Sequence, residues 1–240
     1  MSRLVLENLV KTYEGKPVVN RIQIRVNQGE VTGLLGPNGA GKTTTFYMTV
    51  GMIRPDSGSV YLDQEEITRD PMYIRARKGI GYLPQESSIF KKLTVKENLT
   101  AILEVLPKNG IDINEKARAL MSELGIEKLC HQQAASLSGG ERRRLEISRV
   151  LATNPKFILL DEPFAGIDPL AVIDIQQIIT QLTDRGIGVL ISDHNVRETL
   201  GVCDHAYIMS QGVVIESGDP DKIISSDIAK KIYLGDNFKL

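Results

Sequence analysis

Cysteine is scarce: Cys130 and Cys203 are the only two in 240 residues, and no motif pairs them. A disulfide framework is thereby excluded, and both thiols are expected to be buried or incidental. Long apolar runs are missing too. No stretch free of Asp, Glu, Lys and Arg exceeds 12 residues, whereas a membrane-spanning helix needs about 20, so no direct membrane insertion is expected. The N-terminal Met-Ser-Arg-Leu-Val-Leu-Glu carries an acid at Glu7 and lacks the apolar centre of a secretory signal, which points to the cytosol. An excess of one charge is also lacking. With 29 basic against 30 acidic residues and a net charge of -1, the chain offers no global attraction to nucleic acid or anionic lipid. What remains is an ordinary globular composition, 42% hydrophobic and 25% charged, in a chain long enough to bury a core without metals or disulfides.

Between Arg21 and Asn27 apolar and polar residues alternate strictly, with Ile22, Ile24 and Val26 on one face, as in a half-solvated antiparallel strand. Val31 to Leu35, Phe157 to Leu160 and Ile187 to Ile191 are instead nearly all apolar and are followed by helical patterns, the mark of parallel strands covered on both faces. From about 94 to 155 strand signals stop. There Val95, Leu99, Ile102, Leu103 and Leu106 follow helical spacing behind a capping box, Thr94-Val-Lys-Glu97. Asp168-Pro169 reads as the N-cap and first position of a helix whose Ile175, Ile178, Ile179 and Leu182 form one stripe.

The chemistry concentrates in Gly36-Pro37-Asn38-Gly39-Ala40-Gly41-Lys42-Thr43, followed by Thr44, which fits G-x-x-x-x-G-K-[ST] between a buried strand and a helix. The glycines let backbone N-H groups converge on phosphate oxygens. Lys42 adds a cation, Thr43 a hydroxyl for Mg²⁺, and the helix its positive end. Phe157-Ile-Leu-Leu-Asp161-Glu162 supplies the complementary half. Asp161 ends a buried strand where a carboxylate holds hydrated Mg²⁺, and Glu162 falls beside the γ-phosphate, placed to deprotonate an attacking water. Without the phosphate loop, such an acidic pair would simply open a helix.

Leu137-Ser138-Gly139-Gly140-Glu141, 20 residues before Asp161, resembles the signature of the ATP-binding-cassette ATPases, although Ser138 to Glu141 is equally a capping box. The resemblance runs along the whole chain. It implies an α/β P-loop NTPase (RecA-like) fold, with a mostly parallel sheet core, an antiparallel β subdomain and a helical insertion. One domain is expected, with about 1–88 and 156–240 as the core and about 89–155 as the helical part. It further implies ATP and Mg²⁺ as ligands and a homodimer in which Ser138, Gly139, Gly140 and Asp168 serve the site of the opposite copy. By the same likeness Tyr13 stacks on adenine, Gln85 touches Mg²⁺ and water, and His194 donates to the γ-phosphate. Taken singly, Tyr13 would be a strand-edge residue and Gln85 would mean little. His131 and His205 are read as structural or solvated. Glu141 stands where glutamine is frequent, and Ala165-Gly166-Ile167 replaces a serine-containing run, which puts only the tuning of the dimer interface in question.

Within the family, the segments flanking the motifs are similar to the ATPase subunits of lipopolysaccharide export systems. That likeness implies two membrane-spanning partners (LptF and LptG type), a singly anchored one (LptC type), and a peripheral place on the cytoplasmic face of the inner membrane. An importer cassette, such as one for branched-chain amino acids, shares every catalytic motif and stays open at this point. A soluble cassette acting on ribosomes or DNA fits less well, since heptads, a second phosphate loop and a basic surface are missing. Finally, Ile89, Phe90 and Leu93 place apolar bulk in a non-periodic loop after Gln85. By themselves they fit a surface docking site or a Phe90 tucked under the helical insertion as core. The resemblance, in which the cleft beside the glutamine loop receives a short helix of the membrane subunit, implies that Tyr82, Phe90 and Leu93 line that groove.

Overall fold

A computed structural model describes residues 2–106, 112–235 and 238. The alternating segment belongs to β2 (Lys16–Asn27), which pairs antiparallel with β1 (Arg3–Tyr13) and buries Ile22, Ile24 and Val26. The entirely buried β3 (Val31–Leu35) leads into α1 (Lys42–Val50), followed by β4 (Ser57–Leu62), β5 (Glu65–Glu66), α2 (Met72–Arg77) and β6 (Ile80–Leu83). From there to β7 (Phe157–Asp161) the described residues form no strand. They form α3 (Val95–Val105), α4 (Ile113–Glu123) and α5 (Gly139–Leu151), plus an isolated bridge between Thr94 and Gln133. The chain closes through α6 (Pro169–Asp184), β8 (Gly188–Ser192), α7 (Val196–Leu200), β9 (His205–Ser210), β10 (Val213–Gly218), α8 (Pro220–Ser225) and α9 (Asp227–Ala229).

Two sheets result. The antiparallel one has order β2-β1-β4-β5, and the larger one β10-β9-β3-β8-β7-β6, parallel except at β10. The apolar runs have no alternation because both of their faces are covered. On β7, Ile158 and Leu160 join the core under α3 to α6, while Phe157 and Leu159 join the core shared with α1 and the antiparallel sheet. The α6 stripe of Ile175, Ile178, Ile179 and Leu182 packs into the first of these, each side chain contributing about 1.5–3 kcal/mol by leaving water.

Local signals set the helix ends. Thr94 and Ser138 each form a complete capping box, and Asp168 accepts from the N-H of Ala171 at 3.0 Å ahead of Pro169. The end of α1 is closed differently. Arg75, fully buried, donates to the carbonyls of Met48 and Thr49 at 2.7 Å, Thr68 at 2.8 Å and Asp70 at 2.9 Å. It thus satisfies carbonyls that a helix leaves without partners, and burial lowers its pKa to about 10.

Candidate functional site

The parallel register lines up the carboxyl ends of four neighbouring strands. Leu34 and Asp161 both pair with Ser192, and Leu83 pairs with Leu160, so the loops after β3, β6, β7 and β8 leave the sheet along one edge. In an open α/β sheet this edge is where ligands bind.

The loop after β3 is shaped by two positions that admit only glycine. Gly36 has φ +149° and a Cβ there would lie 2.1 Å from the carbonyl oxygen of Met209, while Gly41 has φ +103° and a Cβ would lie 2.5 Å from that of Val18. Between them Pro37, Asn38, Gly39 and Ala40 carry the chain round to α1, whose first turn holds no acid to offset its positive end. Lys42 opens that helix, buried, its Nζ donating to the carbonyls of Gly36 at 2.7 Å and Pro37 at 3.1 Å. Burial holds its pKa below the ordinary lysine value, against the pull of Glu162, Asp161 and Asp193. Thr43 is exposed and Thr44 half-buried beside it.

Asp161 ends β7 inside the protein. Burial first, and Glu162 second, push its carboxyl up to about 6, partly offset by Tyr82, Lys42 and Ser192. Glu162 adopts φ +46°, a left-handed conformation costing a non-glycine residue about 1–2 kcal/mol, and its N-H is held by the carbonyl of Ser192 at 2.6 Å. That backbone turn presents its carboxylate to two other loops. Gln85 Nε2 donates to Glu162 Oε2 at 2.7 Å, and His194 Nδ1 lies 3.3 Å from the same oxygen. Three residues expected from the sequence to act together therefore meet on one atom.

Across a cleft of about 150 Å³ from Gln85 and Glu162 stands Gly139, at the start of α5. Ser138 caps this helix: its Oγ accepts the N-H of Glu141 at 3.3 Å, and Glu141 Oε2 accepts Ser138 N at 2.9 Å and Ser138 Oγ at 2.8 Å. Gly140 follows, and Asp168 heads α6. Tyr13 lies exposed at the end of β1 with Lys11 Nζ 5.6 Å from its ring centre.

The three groove residues separate. Phe90 is 44% exposed with Arg149 stacked on its ring at 4.5 Å, and Leu93 is half-buried three residues on. Ile89 beside it turns into the core. Tyr82 faces elsewhere. Its ring packs on the core between the sheets and its hydroxyl donates to Asp161 Oδ2 at 3.4 Å, because β6 lies next to β7. Tyr82 is thus a neighbour of the Asp161 carboxylate rather than of Phe90.

Sequence reasoning passed over Asp193. It is fully buried, accepts from the N-H of Phe164 at 3.0 Å and of Asn195 at 2.8 Å, and ties the loop after Glu162 to the turn bearing His194. Burial raises its pKa. An acid directly after a buried strand is the available signal. Arg143 and Glu146 were passed over as well, since charged residues on a helix are ordinarily solvated. Among the described residues no group of three or more His, Cys, Asp or Glu could hold a metal alone, and no helix is long and apolar enough to cross a membrane.

The family model described as ABC transporter matches residues 19–165. The chain is 55% identical to the lipopolysaccharide export system ATP-binding protein LptB of Escherichia coli (strain K12) over 241 residues, covering 100% of both. It is 54% identical to LptB of Haemophilus influenzae over 244 residues, again covering 100% of both. Among solved structures, a nucleotide-free ATP-binding cassette from an ABC transporter matches with a TM-score of 0.89 at 32% identity, covering 98% of this chain and 100% of that one. The cbiO1 subunit of Clostridium perfringens, part of the cbiONQ complex, matches with a TM-score of 0.84 at 30% identity, covering 97% and 94%.

Proposed function

The chain belongs to the ABC transporter family of ATPases, and on that footing we propose that it powers the export of lipopolysaccharide from the inner membrane. The full-length likeness to LptB carries this reading, because the catalytic motifs alone would serve an importer equally well. In it the chain is one ATPase domain, about 1–88 and 156–240 forming the nucleotide-binding core and about 89–155 a helical subdomain. Two copies sit on the cytoplasmic face against two membrane-spanning subunits, with a singly anchored subunit attached.

Tyr13 stacks on adenine, the N-H groups from Gly36 to Thr44 hold the phosphates, and Lys42 places its charge on the outer two. The donor set suits Mg²⁺ rather than a metal caged by protein alone: the Asp161 carboxylate acting through water, the Thr43 hydroxyl and Gln85 leave the rest of the shell to phosphate and water. Held by these residues, such an ion would neutralise charge on the phosphates. Glu162 accepts a proton from the attacking water on its carboxylate, while Gln85, donating from Nε2 to Oε2, fixes that carboxylate. General-base assistance of this kind is worth about 10²–10⁴ in rate. His194, exposed on its other side, donates to the γ-phosphate, and Ser138, Gly139, Gly140 and Asp168 of the second copy close the site.

Phe90 and Leu93 form the docking point for the membrane subunits. The test is detergent extraction of membranes carrying a tagged wild-type chain or its Phe90→Ala variant. The wild type should bring down two hydrophobic proteins with lipopolysaccharide, and the variant should dock more weakly by about 2 kcal/mol, roughly thirtyfold, as for a lost aromatic anchor. Recovery of a permease with a solute-binding protein would overturn the export reading, and undiminished complex formation by Phe90→Ala the docking point.

A further inference from the structure

One stripe of α5 grips the Gln85 loop along its length. Arg143, Glu146 and Arg149 recur every third residue and so share a face. Arg143 Nη1 donates to the carbonyl of Pro84 at 3.2 Å and to Glu146 Oε2 at 3.1 Å, and its Nη2 to the carbonyl of Asp161 at 3.4 Å. Glu146 Oε1 accepts from Ser87 Oγ at 2.7 Å and from the N-H of Ser88 at 3.3 Å. Arg149 donates to the carbonyl of Ser88 and lies over Phe90. The residues flanking Gln85 on both sides are therefore bound to one helix, while Gln85 itself reaches across to Glu162.

Arg143 and Glu146 are both buried, 7% and 4% exposed. Replacing such a pair by apolar residues is often neutral for stability or better, so its presence is weak evidence of a stabilising role. Its geometry does something an apolar pair could not: it fixes a polar loop, residue by residue, against the helix that begins at Ser138. We propose that Glu146, supported by Arg143, is a positioning residue that sets Gln85 on Glu162 and makes the Gln85 loop and the signature end of α5 move as one body. The proposal rests on the reading of Gln85 and Glu162 as catalytic. A membrane partner seated at Phe90 would then shift Gln85 and Gly139 together.

The test is steady-state hydrolysis of Mg-ATP by the full chain and by Glu146→Gln, Ser87→Ala and the double variant, with melting temperatures alongside. Each single change should lower kcat at least threefold with KM for ATP within twofold, since the phosphate loop is untouched. The double variant should be no slower than Glu146→Gln, because the Ser87 contact is one of those that the change at Glu146 already disturbs. Should Glu146→Gln fail to fold, Ser87→Ala on the exposed loop decides alone. An unchanged kcat with only a lowered melting temperature, or losses that multiply, would overturn the proposal. Glu162→Gln separates the two ideas: turnover above a tenth of wild type in that variant strikes the general-base reading, whereas a dead Glu162→Gln beside a normal Glu146→Gln strikes only the positioning role.

Discussion

Asp161 is a carboxylate kept where water would not leave it. Its folded pKa of about 6 stands above the ordinary 3.8, so the native chain binds a proton more readily than the unfolded one. The sign follows directly. This group favours folding below about pH 4, and its contribution is lost as pH rises through about 6. At pH 7 the ionised form therefore works against the nucleotide-free fold, by up to about 3 kcal/mol at 1.36 kcal/mol per unit. Asp161→Asn should melt higher than wild type at pH 7, and the difference should shrink towards pH 4 while hydrolysis with Mg²⁺ disappears. Thermal unfolding of both proteins across that range checks it, and an equal or lower melting point at pH 7 would contradict it. Stability is given up at a residue whose charge the proposed function would use once nucleotide and cation arrive. The left-handed turn at Glu162 is a second local cost in the same loop.

Among the elements, α5 does two jobs with one end. Its first turn needs caps for orphan N-H groups, and the same turn is the part that would meet an anion. Glu141 serves the cap but adds a negative charge where a phosphate would approach. Glutamine would keep the hydrogen bond and remove the repulsion. In a Glu162→Gln background, where bound ATP is not consumed, Glu141→Gln should tighten ATP-driven association about two- to fivefold, the equivalent of about 0.4–1 kcal/mol. Sedimentation at graded ATP concentrations reads this, and weaker association would show that the charge is not felt across the interface. This helix also marks how far a sequence can be read. Its capping box, like that at Thr94 and the cap at Asp168, is legible because every partner lies within three residues. The apolar strands β3, β7 and β8 are legible because covering on both faces forces an unbroken run. The pairing of Arg143 with Pro84, of Tyr82 with Asp161, and of Asp193 with Phe164 depends on which strands become neighbours, and no local spacing encodes that.

At the scale of the whole molecule the proposed catalytic set is divided by geometry. Lys42, Asp161, Glu162, Gln85 and His194 gather on one sheet edge, whereas Ser138 opens a helix that the Glu146 stripe ties to the outer side of the Gln85 loop. If the two parts are completed by a second copy related by two-fold symmetry, each dimer holds two composite sites, and each chain gives one half to each. Lys42→Ala spoils the site on its own chain and Ser138→Arg the site on its partner. Either homodimer then has two broken sites. Mixed one to one with free exchange, half of the dimers combine the two variants; there, one site carries both lesions and the other carries neither. About a quarter of all sites should therefore be intact, by random pairing of symmetric subunits. ATPase activity of the mixture should rise from near zero to about a quarter of wild type, or less where the two sites must fire together. Measuring the separate and mixed proteins at one total concentration decides it. Full activity of either variant alone, or hydrolysis by a strictly monomeric form at the dimer's rate, would rule out the composite sites.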